Sequence, residues 1–391
     1  MTSDSKADRI HALDSLRAIM MLLGLVVHSA VTYGVVDYRG DWGLKDKLNT
    51  NIFFDHLVHF IHVFRMPLFF VMAGFFGALL FYEKGPLKMI RNRVDRILLP
   101  FIVFISFIFP LSLTSFIFSQ NKMRGNPDAA RAAAEWLLGL KLSYYTTVHL
   151  WFLYYLIMFS IAGWALGLLF SRVPTLTHRV NLWFSKIVSH PLPRTLLLSF
   201  MTYFCLNLMG TAGIKTSISF KPDATVFFIY FSIYLFGWLL FKSKHLLSTL
   251  SRWGWLQIAA GFIFFMMKTL MLSQKSDTFF HLRQFANATS MWFFIFGFTA
   301  LFLNYLNYRS ATMRYISDAS YWVYLVHLPI VSLIPGYLAS FDMSPFLKFT
   351  IVLSLTTGIG FLTYHGMVRS TFIGKFLSGR RISEKALPVS P

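Results

Sequence analysis

Arg17 and His28 stand eleven positions apart in LDSLRAIMMLLGLVVHSAVTY, an apolar run whose only other ionisable group before its tyrosine is Asp14. Eleven residues make close to three helical turns, so both side chains share one face, about 16 Å apart along the axis. That geometry suits a helix lining a cavity that enters from the Arg17 end. Each residue also has a plainer reading: Arg17 as a boundary residue snorkelling beside Asp14, His28 as a hydrogen-bonded core histidine. A second run, DHLVHFIHVFRMPLFFVMAGFF, carries Asp55, His56, His59, His62 and Arg65. His59, His62 and Arg65 step by three and form one stripe, which fits a wet, anion-accepting cavity. Alternatively, Arg65 closes a buried ion pair with Asp55 or another carboxylate. His59 and His62 lack a convincing third ligand, so no metal is expected.

Three further groups could do chemistry. In KMIRNRVDRILLP, Arg93 and Arg96 lie at i and i+3, where two guanidiniums can grip a phosphate or simply anchor the chain at a membrane boundary. In YWVYLVHLPI, Pro329 removes the helical hydrogen bond to Leu325 and opens polar backbone beside His327, either as a structural kink or as part of a site. In HLWFLYYL, His149 stands at the outer end of a run beside Trp151, Tyr154 and Tyr155. An interfacial aromatic belt accounts for such a cluster. Yet Tyr33, Tyr38, Trp42, Trp136, Tyr144 and Tyr145 fall on the same side, where flat rings could stack on sugar.

The elements that must hold these groups are membrane spans. Of the 391 residues, 56% are hydrophobic and only 13% charged, against about 25% charged in a soluble domain. A soluble enzyme, a disordered chain and a fibrous repeat are excluded. Apolar runs of about 20 residues occur near 14–36, 56–82, 97–119, 149–170, 195–214, 224–241, 255–272, 285–307, 319–340 and 346–368. The expected fold is an all-α integral membrane protein of about ten transmembrane helices. Residues 1–13 form a cytoplasmic segment, 14–368 the membrane domain and 369–391 a basic cytoplasmic tail. Of these runs, 224–241 and 255–272 are short and barely separated.

Basic residues concentrate in alternate loops, including Lys84, Lys88, Arg91, Arg172, Arg179, Lys186, Arg194, Lys242 and Lys244. The same side holds Lys6 and Arg9 before the first run, and Arg380, Arg381 and Lys385 after the last. The positive-inside rule therefore places both termini in the cytoplasm. The net charge of +20 reads as topology, and no nucleic-acid partner is expected. The first run reads as a span rather than a cleaved signal peptide. Cys205 is the only cysteine, which leaves no internal disulfide. There is no GxxxxGK[ST] loop, against a nucleotide-driven pump. The longest loop, 120–146, contains RAAAEWLLGLKL, a short amphipathic helix at the outer interface. No loop can house a soluble catalytic domain, so any chemistry belongs to the bundle. Ionisable groups at that depth cost from about 3 to more than 10 kcal/mol and need a partner or a purpose.

Taken together, LDSLRA with Arg17-x10-His28, FRMPLFFVMAGFF, Arg93-x-x-Arg96, HLWFLYYL and YWVYLVHLP resemble membrane-bound acyltransferase family 3, from about residue 10 to 370. Within it, the HxFRMxxFFV segment is similar to the branch that succinylates osmoregulated periplasmic glucans. The resemblance implies a multi-pass protein of the bacterial inner membrane. It would transfer an acyl group from cytoplasmic succinyl-CoA to a glucose hydroxyl of a periplasmic β-glucan, with no tightly bound cofactor. His28 would be the catalytic base, by direct transfer or through an acyl-histidine, and Arg17, Arg93 and Arg96 would serve acyl-CoA. His62, Arg65, Asp55 and His327 are candidates for the cavity or the acyl carboxylate. Asp55 is a candidate for orienting His28, and Trp42, His149 and Trp151 for the acceptor sugar. Membrane lipid, glucan-synthesis proteins as pathway neighbours and a second copy of the chain are the remaining partners considered. Two alternatives stand: O-acetylation of another surface polysaccharide, and an organic-acid or sugar transporter. The absence of an internal repeat between the two halves counts against the transporter.

Overall fold

Leucine- and phenylalanine-rich runs have no water to satisfy their backbone in a bilayer, so they close their hydrogen bonds internally as helices. The computed structural model describes residues 10–38, 42–139 and 146–379. Tyr144 and Tyr145 lie outside the described residues, as do Lys6, Arg9, Arg380, Arg381 and Lys385. The helices are α1 (His11–Ala30), α2 (Ile52–Leu79), α3 (Pro86–Arg93), α4 (Leu99–Met123), α5 (Ala129–Leu138), α6 (Trp151–Ser171), α7 (Pro174–Ser189) and α8 (Pro191–Met209). They continue with α9 (Ala224–Lys242), α10 (Leu247–Leu250), α11 (Gly254–Leu270), α12 (Asp277–Tyr305), α13 (Ala311–Leu338), α14 (Pro345–Thr363) and α15 (Phe372–Ser378). Among the described residues, nine helical stretches are long and apolar enough to cross a membrane, and one bent pair brings the number to ten. The protein is therefore a multi-pass, all-α membrane protein.

Helix starts follow local chemistry. Asn51 accepts from Phe53 N–H to cap α2, Asp223 from Thr225 and Val226 N–H to cap α9, and Ser344 from Leu347 N–H to cap α14. Two short runs behave differently. The 224–241 run is the straight helix α9, whereas 255–272 becomes α11, bent by 74° from the short segment Lys244–Leu250. The loop after α6 also differs from expectation. It contains α7, and Arg194, read as a loop charge, lies 1% exposed in the first turn of α8. There its guanidinium sits 4.5 Å over the Phe296 ring and Nη1 donates to Val188 O.

The central crossing is between α2 and α9. Gly74 faces the backbone of Tyr234 and Gly237 that of Val71 so closely that a Cβ at either would clash with a carbonyl oxygen. Small residues on both helices let the backbones touch, which fixes the depth of the α2 stripe. At the opposite end of the bundle, Thr147 N–H and the Thr146 hydroxyl donate to Ile218 O, tying the start of α6 to the 210–223 loop.

Candidate active site

Four histidines of three helices and one short turn converge. His28 from α1 and His327 from α13 have ring centroids 5.3 Å apart, and His149, just before α6, is 4.8 Å from His327. His62 of α2 lines the same cavity, a space of about 800 Å³. Pro329 explains part of this convergence. Having no N–H, it leaves Leu325 O without its helical donor, and His149 Nε2 supplies one, at 3.3 Å from Leu325 O and 3.0 Å from Tyr324 O. His149 and Trp151 thus lie in the buried core beside His28 rather than in an interfacial belt, at 7% and 6% exposure.

A carbonyl can only accept, so each ring nitrogen bonded to one carries the proton. His149 donates through Nε2, His327 through Nδ1 to Tyr324 O (2.6 Å), and His62 through Nδ1 to Val58 O (2.9 Å). Among the described residues, the opposite nitrogens His149 Nδ1 and His327 Nε2 are buried with no hydrogen-bond partner. His28 is held differently. Its ring stacks on Trp42 at 5.1 Å and 25°, and Trp42 is fixed by its own Nε1–H donating to Thr32 Oγ1 at 2.9 Å. An indole face leaves both imidazole nitrogens free for a substrate.

Arg65 of α2 meets α1 at Gly24, one helical turn before His28. A Cβ built on Gly24 would stand 2.5 Å from Arg65 Nη1, so the guanidinium as placed lies directly against the glycine backbone and a side chain there would displace it. Among the described residues no carboxylate lies within ion-pair distance of Arg65, and its Nε is buried without a partner. Asp55, considered as a partner for Arg65 or His28, is committed elsewhere. It accepts from Val35 N–H (2.5 Å) and Val36 N–H (3.1 Å) and from the Tyr38 hydroxyl (3.4 Å). Burial and this carboxylate hold the Tyr38 phenol above its usual range, so it stays a protonated donor beside His59. Of the other aromatic candidates, Tyr38 and Trp42 line the cavity, Tyr33 is in the core, and Trp136 is on α5, away from it.

The arginines line a second cavity of about 460 Å³, at the opposite end of α1. Arg17 there pairs with Asp14 (3.3 Å) and lies 5.4 Å from the Phe76 ring. Arg93 presents buried Nε and Nη2 that have no partner among the described residues. Arg96 is already engaged, since Nη1 donates to Lys375 O and Phe376 O and so braces α15. The pair expected to grip one anion is therefore unequal, with Arg93 the freer. Met21, Phe69 and Phe152 belong to both linings, so the two cavities adjoin at these residues.

Sequence reasoning missed Lys268, Gln120, Asn287 and Arg369, which also line these cavities. Lys268 and Arg369 read as boundary charges at span ends, and nothing local distinguishes a boundary cation from a lining one. Among the described residues, no group of three or more His, Cys, Asp or Glu is placed to hold a metal ion.

The acyltransferase domain of acyltransferase family 3 matches residues 10–365. Glucans biosynthesis protein C of Escherichia coli O81 (strain ED1a) and of Escherichia coli (strain K12) are each 26% identical to this chain over 406 residues. Each alignment covers 98% of this chain and 98% of the relative. No solved structure matches the chain.

Proposed function

This chain belongs to acyltransferase family 3, a membrane acyltransferase family, and from that premise we propose that it moves a succinyl group from cytoplasmic succinyl-CoA to glucose hydroxyls of osmoregulated periplasmic glucans. It would do so in the bacterial inner membrane. One observation carries the reading: the arginine-lined and histidine-lined cavities share Met21, Phe69 and Phe152 as a common boundary, which would be the neck between them. CoA phosphates would rest against Arg93, Arg17 and Arg369, while the thin pantetheine arm, spanning about half a bilayer, passes the neck. The relatives named glucans biosynthesis protein C support the acceptor class.

In this mechanism His28 takes the proton from a glucose hydroxyl as its oxygen bonds to the thioester carbonyl carbon. The tetrahedral oxyanion collapses, the C–S bond breaks, and the CoA sulfur leaves with the proton held on His28. The Trp42 stack orients the imidazole, a role that a carboxylate often fills. Arg65, without an acidic partner among the described residues and set against Gly24, one turn before His28 on α1, pairs with the free carboxylate of the succinyl group. Trp42, His149 and Trp151 form the wall against which the acceptor sugar lies.

Purified protein in nanodiscs, given periplasmic glucan and either succinyl-CoA or acetyl-CoA, tests the reading. Succinylated glucan from the wild type and none from His28→Ala is the expected result. Acetyl transfer alone would retain the reaction class and discard the donor. No transfer from either donor by folded protein would refute the proposal and favour transport.

A further inference from the structure

The wide cavity has an electrostatic asymmetry that Arg65 alone does not use. Its described lining includes Arg65, Lys215 and Lys268 but no aspartate or glutamate. Lys268, on α11, has one hydrogen bond among the described residues: Nζ donates to Asn287 Oδ1 of α12 at 2.7 Å. That partner is a neutral amide and the other contact is the Phe265 ring at 5.9 Å, so no described carboxylate pairs with the ammonium in a bundle where such a charge costs several kcal/mol. The buried Asn287 turns its oxygen to Lys268 and keeps the two N–H donors of Nδ2, which lies near Gly213 in the loop that also carries Lys215. The remaining ammonium and amide N–H donors, beside a net positive charge, suit an anionic acceptor, a carboxylate or phosphate. Arg65 lies on α2 against Gly24 of α1, whereas Lys268 and Asn287 belong to α11 and α12 and line the same cavity.

We propose that Lys268 and Asn287 bind the carboxylate of an acceptor that already carries a succinyl half-ester. This rests on the proposed succinyl transfer, whose product bears that negative charge. A chain held there by its first succinyl group presents further hydroxyls to His28, and successive transfers fall on the same glucan.

The test is equilibrium binding, without donor, of three probes to full-length protein in nanodiscs: a neutral β-glucan oligosaccharide, the same oligosaccharide with one succinyl half-ester, and free succinate. Wild type should bind the succinylated oligosaccharide about tenfold more tightly than the neutral one, the scale of one charge-assisted hydrogen bond. Lys268→Gln should lose that preference, and Lys268→Arg should keep it, which separates loss of charge from loss of fold. Equal binding of both oligosaccharides by wild type, or an undiminished preference in Lys268→Gln, would overturn the site. Free succinate binding as tightly as the succinylated sugar would overturn its assignment to the acceptor. Transfer to the neutral glucan is measured on the same samples. Its absence defeats the transfer reaction, whereas transfer without the binding preference defeats only this site.

Discussion

Lys348 and Asp46 lie 302 positions apart in sequence and form an ion pair at 2.7 Å, with side chains 0% and 6% exposed. Asp46 Oδ1 also accepts from Leu48 and Asn49 N–H, and its own N–H donates to Thr32 O. Thr32 is the residue whose hydroxyl holds the Trp42 indole. The pair therefore pins the loop that lays Trp42 on His28. At 2.7 Å and an effective dielectric near 20, the attraction is roughly 6 kcal/mol, and desolvating the two ions costs several kcal/mol each. Its net contribution to stability is thus near zero, but breaking it from one side strands a buried charge. Lys348→Met should destabilise by about 3–5 kcal/mol. Adding Asp46→Asn, which leaves no charge behind, should restore most of that loss. Unfolding in mixed micelles for wild type, both single variants and the double variant gives the coupling directly. The reasoning fails if Lys348→Met lies within about 1 kcal/mol of wild type, or if the double variant is no more stable than the worse single one. Because Trp42 depends on this loop, the stable double variant should still lose kcat.

Other expectations concern the two cavities. His28→Ala should lower transfer by about 10²–10⁴-fold, the contribution of a positioned base, with an unchanged unfolding midpoint; activity within a factor of ten would assign the proton to another group. Arg65→Ala should narrow the preference for succinyl- over acetyl-CoA by about tenfold or more, and full retention of selectivity would remove Arg65 from the acyl site. Met21→Trp should raise the KM for acyl-CoA by filling the neck while leaving acceptor binding in the wide cavity intact, as measured by separate titrations. Arg93→Ala should raise the KM for acyl-CoA more than Arg96→Ala, since Arg96 already serves α15; the reverse order in steady-state kinetics would contradict the geometry.

The amino-acid sequence alone makes the membrane bundle legible, because a span is a local property: about 20 apolar residues must close their own backbone bonds. It also marks His28, His62, Arg65 and His327, since an ionisable group in such a run stands out against its neighbours. Even the consequence of Pro329 is readable, because the freed Leu325 carbonyl follows from covalent structure alone. What received that carbonyl, His149 from across the bundle, is not. Tertiary packing alone decided that Trp42 rather than Asp55 faces His28, that Lys268 and Arg369 line cavities, and that Lys348 meets Asp46. Local spacing fixes which face of a helix a residue occupies. Which face meets which depends on close approaches such as Gly74 and Gly237, where two backbones touch and the side chains of distant segments come into register.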